Sequence, residues 1–164
     1  MSIFTKIFAV CNKKENKATT ISVSKIDEID EDIDTMARTI WGEARGEGVQ
    51  GMQAIACVIM NRFHEKKWYS IINGNNSIKS VCLKPYQFSC WNKNDANSTL
   101  CKNIDTTDKN FVMALEIAKS AKSGALKDFL NGANHYFADY IKKPDWAKDM
   151  EFCITIGHHN FYKG

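Results

Sequence analysis

Apolar residues at Ile33, Met36, Ala37, Ile40, Trp41 and Ala44 follow the i, i+3, i+4, i+7, i+8, i+11 series of a single helical face. The spacing predicts a helix opening at Asp32, with Asp32 or Asp34 as the N-cap whose side chain accepts from an orphaned backbone N–H. Gly46 and Gly48 then break the pattern. A second face runs through Val49, Met52, Ile55, Ala56, Ile59, Met60 and Phe63 and predicts a helix ending near His64–Lys66. Residues 67–106 are polar, rich in Asn and Ser and without a clean period, which predicts a long loop region holding short pieces of structure. A third helix fits Thr107–Ser123, with Phe111, Ala114, Leu115 and Ala118 inward and Asp108 near its N-cap. A short helical turn is expected at 125–130, after Gly124. The period then changes: NHYFA at 134–138, EFCITIG at 151–157 and the following HNFY are aromatic and β-branched, and predict a small antiparallel sheet closing the domain.

At 164 residues the chain can bury one substantial core and not two. A hydrophobic share of 44% and a charged share of 25% sit near globular averages, which argues against wholesale disorder. No apolar run approaches the ~20 residues of a membrane-spanning helix, so stable membrane insertion is not expected. Residues 1–33 differ from the rest, with a Lys/Asn-rich start followed by KIDEIDEDID, and read as a loosely ordered extension. Ile26, Ile29 and Ile33 could still lay one short helical stripe on a single domain spanning 34–164. No internal repeat is visible. The net charge of +3 comes mostly from scattered lysines and is too mild to mark nucleic acid as a partner. It suits a target of diffuse negative charge, such as a bacterial envelope, and ordinary solubility equally well.

The six cysteines, Cys11, Cys57, Cys82, Cys90, Cys101 and Cys153, contain no pair separated by two residues, so the usual structural zinc signature is missing. Three disulfides would call for an export signal. The N-terminal apolar stretch IFAVC, flanked by Lys6 and Lys13, is shorter than the ~7–15 residues of a secretory core. Synthesis and folding in a cytoplasm, with mostly reduced thiols, is the expectation; work outside would need another route of release.

The densest cluster of reactive side chains is IWGEARGEG, residues 40–48. On the helical face above, Glu43 lies at the edge of the buried stripe, beside Ile40 and Trp41, and Glu47 one turn further on the same side. Partial desolvation there would raise a carboxyl pKa toward the range a general acid needs. The competing reading is an ordinary ion pair of Glu43 with Arg38 or Arg45. Carboxylates at i, i+4 on one helix point in parallel and cannot flank opposite faces of a sugar ring, which makes a two-carboxylate retaining mechanism from this pair poor geometry.

Five segments carry a more specific signal: TIWGEARGEGVQGMQAIACVIMNR (39–62), YQFSCW (86–91), ANHYF (133–137), PDWA (144–147) and TIGHHNFYK (155–163). Together, in this order, they resemble the SleB/CwlJ-type cell wall hydrolases, a family that includes spore-cortex-lytic enzymes and related phage lysins. The resemblance covers residues from about 34 to 163. It implies a lysozyme-like α+β fold, mainly helical with a small antiparallel sheet near the C-terminus. It implies an enzyme that cleaves peptidoglycan glycan strands between N-acetylmuramic acid and N-acetylglucosamine, behaving as a lytic transglycosylase or muramidase. Glu43 would be the catalytic acid. No metal and no organic cofactor is implied, and the expected partner is the glycan strand, met by a monomer.

The remaining motif residues are expected to form a binding wall. Gln87 and Ser89 can hydrogen-bond sugar hydroxyls or N-acetyl groups, Tyr86, Tyr136 and Trp146 offer faces for pyranose rings, and Glu47 joins them at the edge. His135 and His159 could orient Glu43 or touch the developing charge. His158 and His159 are strand neighbours with side chains on opposite faces, and the family pattern favours His159 for the groove. Cys90 reads as a buried thiol. The lack of a recognisable export signal or wall-binding repeats departs from most spore enzymes and suits a phage endolysin released through a holin. Two other classes compete: a Cys/His peptidase or zinc amidase, with Cys57 or Cys90 as nucleophile and His135 or His159 as base, and a non-catalytic wall-binding module.

Overall fold

The computed structural model describes residues 30–164. Residues 1–29, with Ile26 and Ile29 of the expected stripe, lie outside the described residues. Helix α1 (Glu31–Ala44) starts ahead of Asp32, because the cap is Asp30: its carboxylate accepts from the N–H groups of Asp32 (2.9 Å) and Ile33 (3.3 Å). The acidic first turn suits the positive end of the helix dipole, and Lys122 reaches Asp30 and Asp32 at 2.7 and 3.3 Å.

The expected stripe is buried from Met36 onward, with Ile33 half-buried: Met36, Ala37 and Ile40 have no exposed surface. This face makes α1 the hub against which α2 (Gly48–Glu65), α3 (Ile78–Leu83), α4 (Asn97–Asn103) and α5 (Lys109–Lys122) all pack. Helix α2 buries Met52, Ile55, Ala56 and Ile59 as expected, whereas Val49 stands in its solvent-exposed first turn. Gly48 turns the chain between α1 and α2 at φ 69°, a backbone conformation glycine takes without Cβ strain.

The polar stretch after α2 holds short elements, as expected. A two-residue hairpin, β1 (Ile71–Ile72) with β2 (Asn75–Asn76), leads into α3, whose start is fixed by a reciprocal capping box between Ser77 and Ser80. A single helical turn at Ser89–Trp91 precedes α4. Helix α5 is capped by Asp108, which accepts from Phe111 N at 2.9 Å and from Trp41 Nε1 at 3.3 Å, tying α5 to α1. The helical turn expected at 125–130 does not form. Asp128 accepts instead from Leu130 N, Gly132 N and Asn61 Nδ2, which holds the segment as an irregular loop.

The C-terminal sheet is antiparallel in the order β3 (His135–Ala138), β5 (His159–Lys163), β4 (Glu151–Ile156). Tyr136 sits opposite Phe161 and Ala138 opposite His159, which brings the aromatic NHYFA segment onto the helical body through the fully buried Phe161.

Candidate active site

Glu43 is half-buried near the C-terminal end of α1, and three donors converge on its carboxylate. Tyr136 Oη donates to Oε2 at 2.7 Å; Cys90 N and Ser89 Oγ donate to Oε1 at 2.9 and 3.3 Å. Neither expected arginine pairs with it. Arg38 holds Asp34 at 2.7 Å and the carbonyls that end α4; Arg45 lies over the Trp41 ring and donates to Asn97 Oδ1 at 2.7 Å. The Tyr136 phenol is pushed well above its ordinary pKa, first by burial and then by the Glu43 charge, so it stays a proton donor to that carboxylate.

Beside this grip lies a cleft of about 370 Å³, whose walls include Trp68, Tyr86, Gln87, His135, Tyr136 and Trp146. Its size falls within the range of small-molecule sites. Five of the expected residues therefore meet in one place. Tyr136 gains a part beyond the expected one: its hydroxyl is committed to Glu43, which leaves its ring as the face open to a sugar. Ser89 likewise points its hydroxyl at Glu43. Tyr86 is 87% exposed at φ 64°, a costly backbone position for a bulky residue.

Glu47 is not one turn further on the helix of Glu43. Helix α1 ends at Ala44, and Glu47 occupies the N-cap position of α2, where its Oε2 accepts from His158 N at 2.9 Å in the β4–β5 turn. The two glycines flanking this position allow the break that the helical wheel ignores. Gly157 of the same turn has φ 55°, and a side chain there would collide with the Glu47 carboxylate.

The two neighbouring histidines do face opposite ways. His158 is exposed and lies 3.4 Å from Asp139, whereas His159 is buried with its ring edge-on to Tyr136 at 5.1 Å. Burial keeps His159 neutral by lowering its pKa, against the pull of Glu47 and Glu43. It makes no hydrogen bond to Glu43, and its ring packs against Tyr136, which does. His135 is also remote from Glu43: it contacts Asn134 Oδ1 at 2.6 Å and packs on Tyr69 and Trp146. Burial, reinforced by the Arg62 charge, holds its pKa down at about 4.

The competing nucleophiles find no support. Cys57 is a core residue of α2 whose thiol burial pushes up to about 11, and Cys90 is buried with its thiol against Cys101, which also raises it. Among the described residues no three His, Cys, Asp or Glu side chains converge as a metal site would require.

Sequence reasoning missed three contributors. The backbone N–H of Cys90 carries no residue signature. Trp68, 68% exposed after α2, was hidden in the polar stretch. Arg62, 4% exposed, donates from Nε to Asn134 O at 2.7 Å, lies over the Phe88 ring and leaves Nη1 without a partner at the base of the cleft. It looks like an ordinary helical cation in the sequence.

The family described as Cell Wall Hydrolase matches residues 46–162, which takes in the cleft residues while Glu43 falls just ahead of the matched stretch. The catalytic domain of the germination-specific lytic transglycosylase SleB from Bacillus anthracis is 25% identical, with a TM-score of 0.60 over 85% of this chain and 100% of that one. The catalytic domain of the Bacillus cereus SleB protein is 26% identical, with a TM-score of 0.60 over 81% and 90%. The fold is thus the lysozyme-like α+β arrangement expected. A spore cortex-lytic enzyme of Halalkalibacterium halodurans is 29% identical over 132 residues, 80% of this chain. The chain spans about a third of that relative's length, 34%.

Proposed function

The chain belongs to the cell wall hydrolase family, and from that premise we propose that it cleaves peptidoglycan glycan strands between N-acetylmuramic acid and N-acetylglucosamine as a lytic transglycosylase. The observation that carries this reading is the carboxylate of Glu43, gripped by Tyr136, Cys90 and Ser89 beside a cleft walled by aromatic rings. The similar Bacillus anthracis domain, a germination-specific lytic transglycosylase, supports the same reading.

One carboxyl group suffices for the reaction. Protonated Glu43 gives its proton to the glycosidic oxygen, the C1–O bond breaks, and an oxocarbenium-like centre develops at the muramyl C1. The carboxylate left behind takes the proton of the muramyl C6 hydroxyl, whose oxygen closes onto C1 and leaves a 1,6-anhydro end. Proton count returns to its starting value. Tyr136 and the Cys90 N–H keep the carboxylate aimed through both transfers, since each donates a hydrogen bond that needs no rearrangement. Glu47, anchored on the β4–β5 turn, serves the wall of the groove rather than the chemistry. Tyr86, Gln87, Tyr136, Trp146 and His135 hold the sugar rings, and His159 supports Tyr136 from behind.

Mass spectrometry of soluble products from purified peptidoglycan tests this. The native chain should release anhydro-muramyl fragments, and Glu43→Gln essentially none; an active Glu43→Gln variant overturns the assignment. Reducing-end products with Glu43 still required would make it a muramidase. The lysin role is part of the proposal. Fragment release from sacculi of growing cells, compared with release from spore cortex, separates a lysin from the role named for the curated relative.

A further inference from the structure

Tyr86 is shared by two cavities. On one side lies the aromatic cleft already described; on the other lies a larger chamber of about 640 Å³ whose walls include Lys84, Trp91, Asn92, Lys93 and Asn94. The ridge between them is the residue that holds a left-handed backbone at φ 64° while exposing 87% of its surface. Strain of this kind in a bulky residue has to be held by its surroundings, and it gathers at ligand-binding positions.

The second chamber differs in charge. Two lysines line it and no carboxylate does. Lys84 donates from Nζ to Ile71 O at 2.7 Å, behind the chamber wall, and neither lysine pairs with an acid among the described residues. The acid nearest in sequence, Asp95, is outside the lining and accepts from Asn97 N at 2.7 Å. Trp91 forms a firm wall, since its Nε1 donates to Thr39 Oγ1 at 2.9 Å inside the body of the domain. The chamber also adjoins the site directly, because Ser89 and Trp91 share the turn that grips Glu43.

We propose that the chamber beyond Tyr86 binds the free carboxylates of the stem peptides carried by the glycan strand. This inference rests on the glycan-cleaving reading above. In a peptide-bearing strand the lactyl carboxyl is tied up in the amide to the peptide, so the free carboxylates lie out on the stem. Lys93 stands exposed on the wall and Lys84 is half-buried behind it, and two cations with no acid among the lining residues attract such anions. Tyr86 then separates the sugar, stacked in the aromatic cleft, from its charged substituent.

The test compares two substrates with identical sugars: glycan strands bearing stem peptides with free carboxylates, and the same strands with those carboxylates converted to methylamides. The full chain should cleave the free-acid strands with kcat/KM about five- to tenfold higher, the difference lying in KM. Lys93→Glu should bring that ratio to one or below. Lys119→Glu, which makes the same charge change on the exposed side of α5, should keep it. Equal rates on both substrates by the native chain, or an unchanged ratio in folded Lys93→Glu, overturns the proposal. Absence of glycan fragments from both substrates would instead remove the reading on which it rests.

Discussion

The phenol of Tyr136 donates to Oε2 of Glu43 at 2.7 Å, across 93 residues of sequence. A hydrogen bond to a charged group contributes about 1.5–3 kcal/mol. Tyr136→Phe keeps the ring against His159 and Phe161 and removes only this bond. We expect glycan cleavage to fall by about 10–100-fold, with the melting temperature lowered by only several degrees and the fold intact. Activity within twofold of native would show that the clamp is dispensable.

Gly42 precedes Glu43 inside α1, where alanine is ordinarily favoured by about 1 kcal/mol. Here the added Cβ would lie 2.5 Å from Cys101 Sγ and 2.6 Å from Cys90 Cβ. Overpacking of this kind costs roughly 1–3 kcal/mol, and the atom displaced belongs to the residue whose N–H holds Glu43. Gly42→Ala should lower both denaturant midpoint and activity. Adding Cys101→Ala removes one of the obstructing atoms and should restore part of each.

The neutral, buried His135 sets a pH dependence of stability. In the unfolded chain the ring takes a proton near its ordinary 6.5, in the folded protein only near 4. Between these values the unfolded state binds more protons, so stability falls as pH drops from about 6.5 toward 4. Thermal melts across this window should show that decline, and His135→Gln should flatten it. Some slope will remain, because His159 is held down in the same direction. An unchanged slope in His135→Gln would assign the dependence to other groups.

The β4–β5 turn is built around Gly157. Its φ of 55° and the Glu47 carboxylate beside it leave no room for a methyl group. Gly157→Ala should destabilise by roughly 1–3 kcal/mol, from left-handed strain together with displacement of Glu47. Urea unfolding reads this directly. A loss of less than about 0.5 kcal/mol would mean the turn adapts freely.

Much of this architecture was legible in the sequence because burial imposes a period. The stripe from Ile33 to Ala44 gave α1 and put Glu43 at its edge, and the aromatic runs at the C-terminus gave the sheet. Tertiary partners were not legible. Glu47 was drawn onto the α1 wheel because a wheel has no way to represent a break between two glycines. The loop at 125–130 looked helical because the donors captured by Asp128 are invisible in a propensity pattern. The grip on Glu43 was hidden for a similar reason: one of its donors is a backbone N–H, and another is a tyrosine whose ring suggested stacking and whose hydroxyl does the work.

The three groups that hold Glu43 come from positions 89, 90 and 136, and the strand carrying the last is secured by β5 at the far end of the chain. A growing polypeptide therefore displays the reactive carboxyl group long before anything can aim it. The grip on this carboxylate is complete only when the final strand docks, so the geometry around Glu43 depends on the whole described fold.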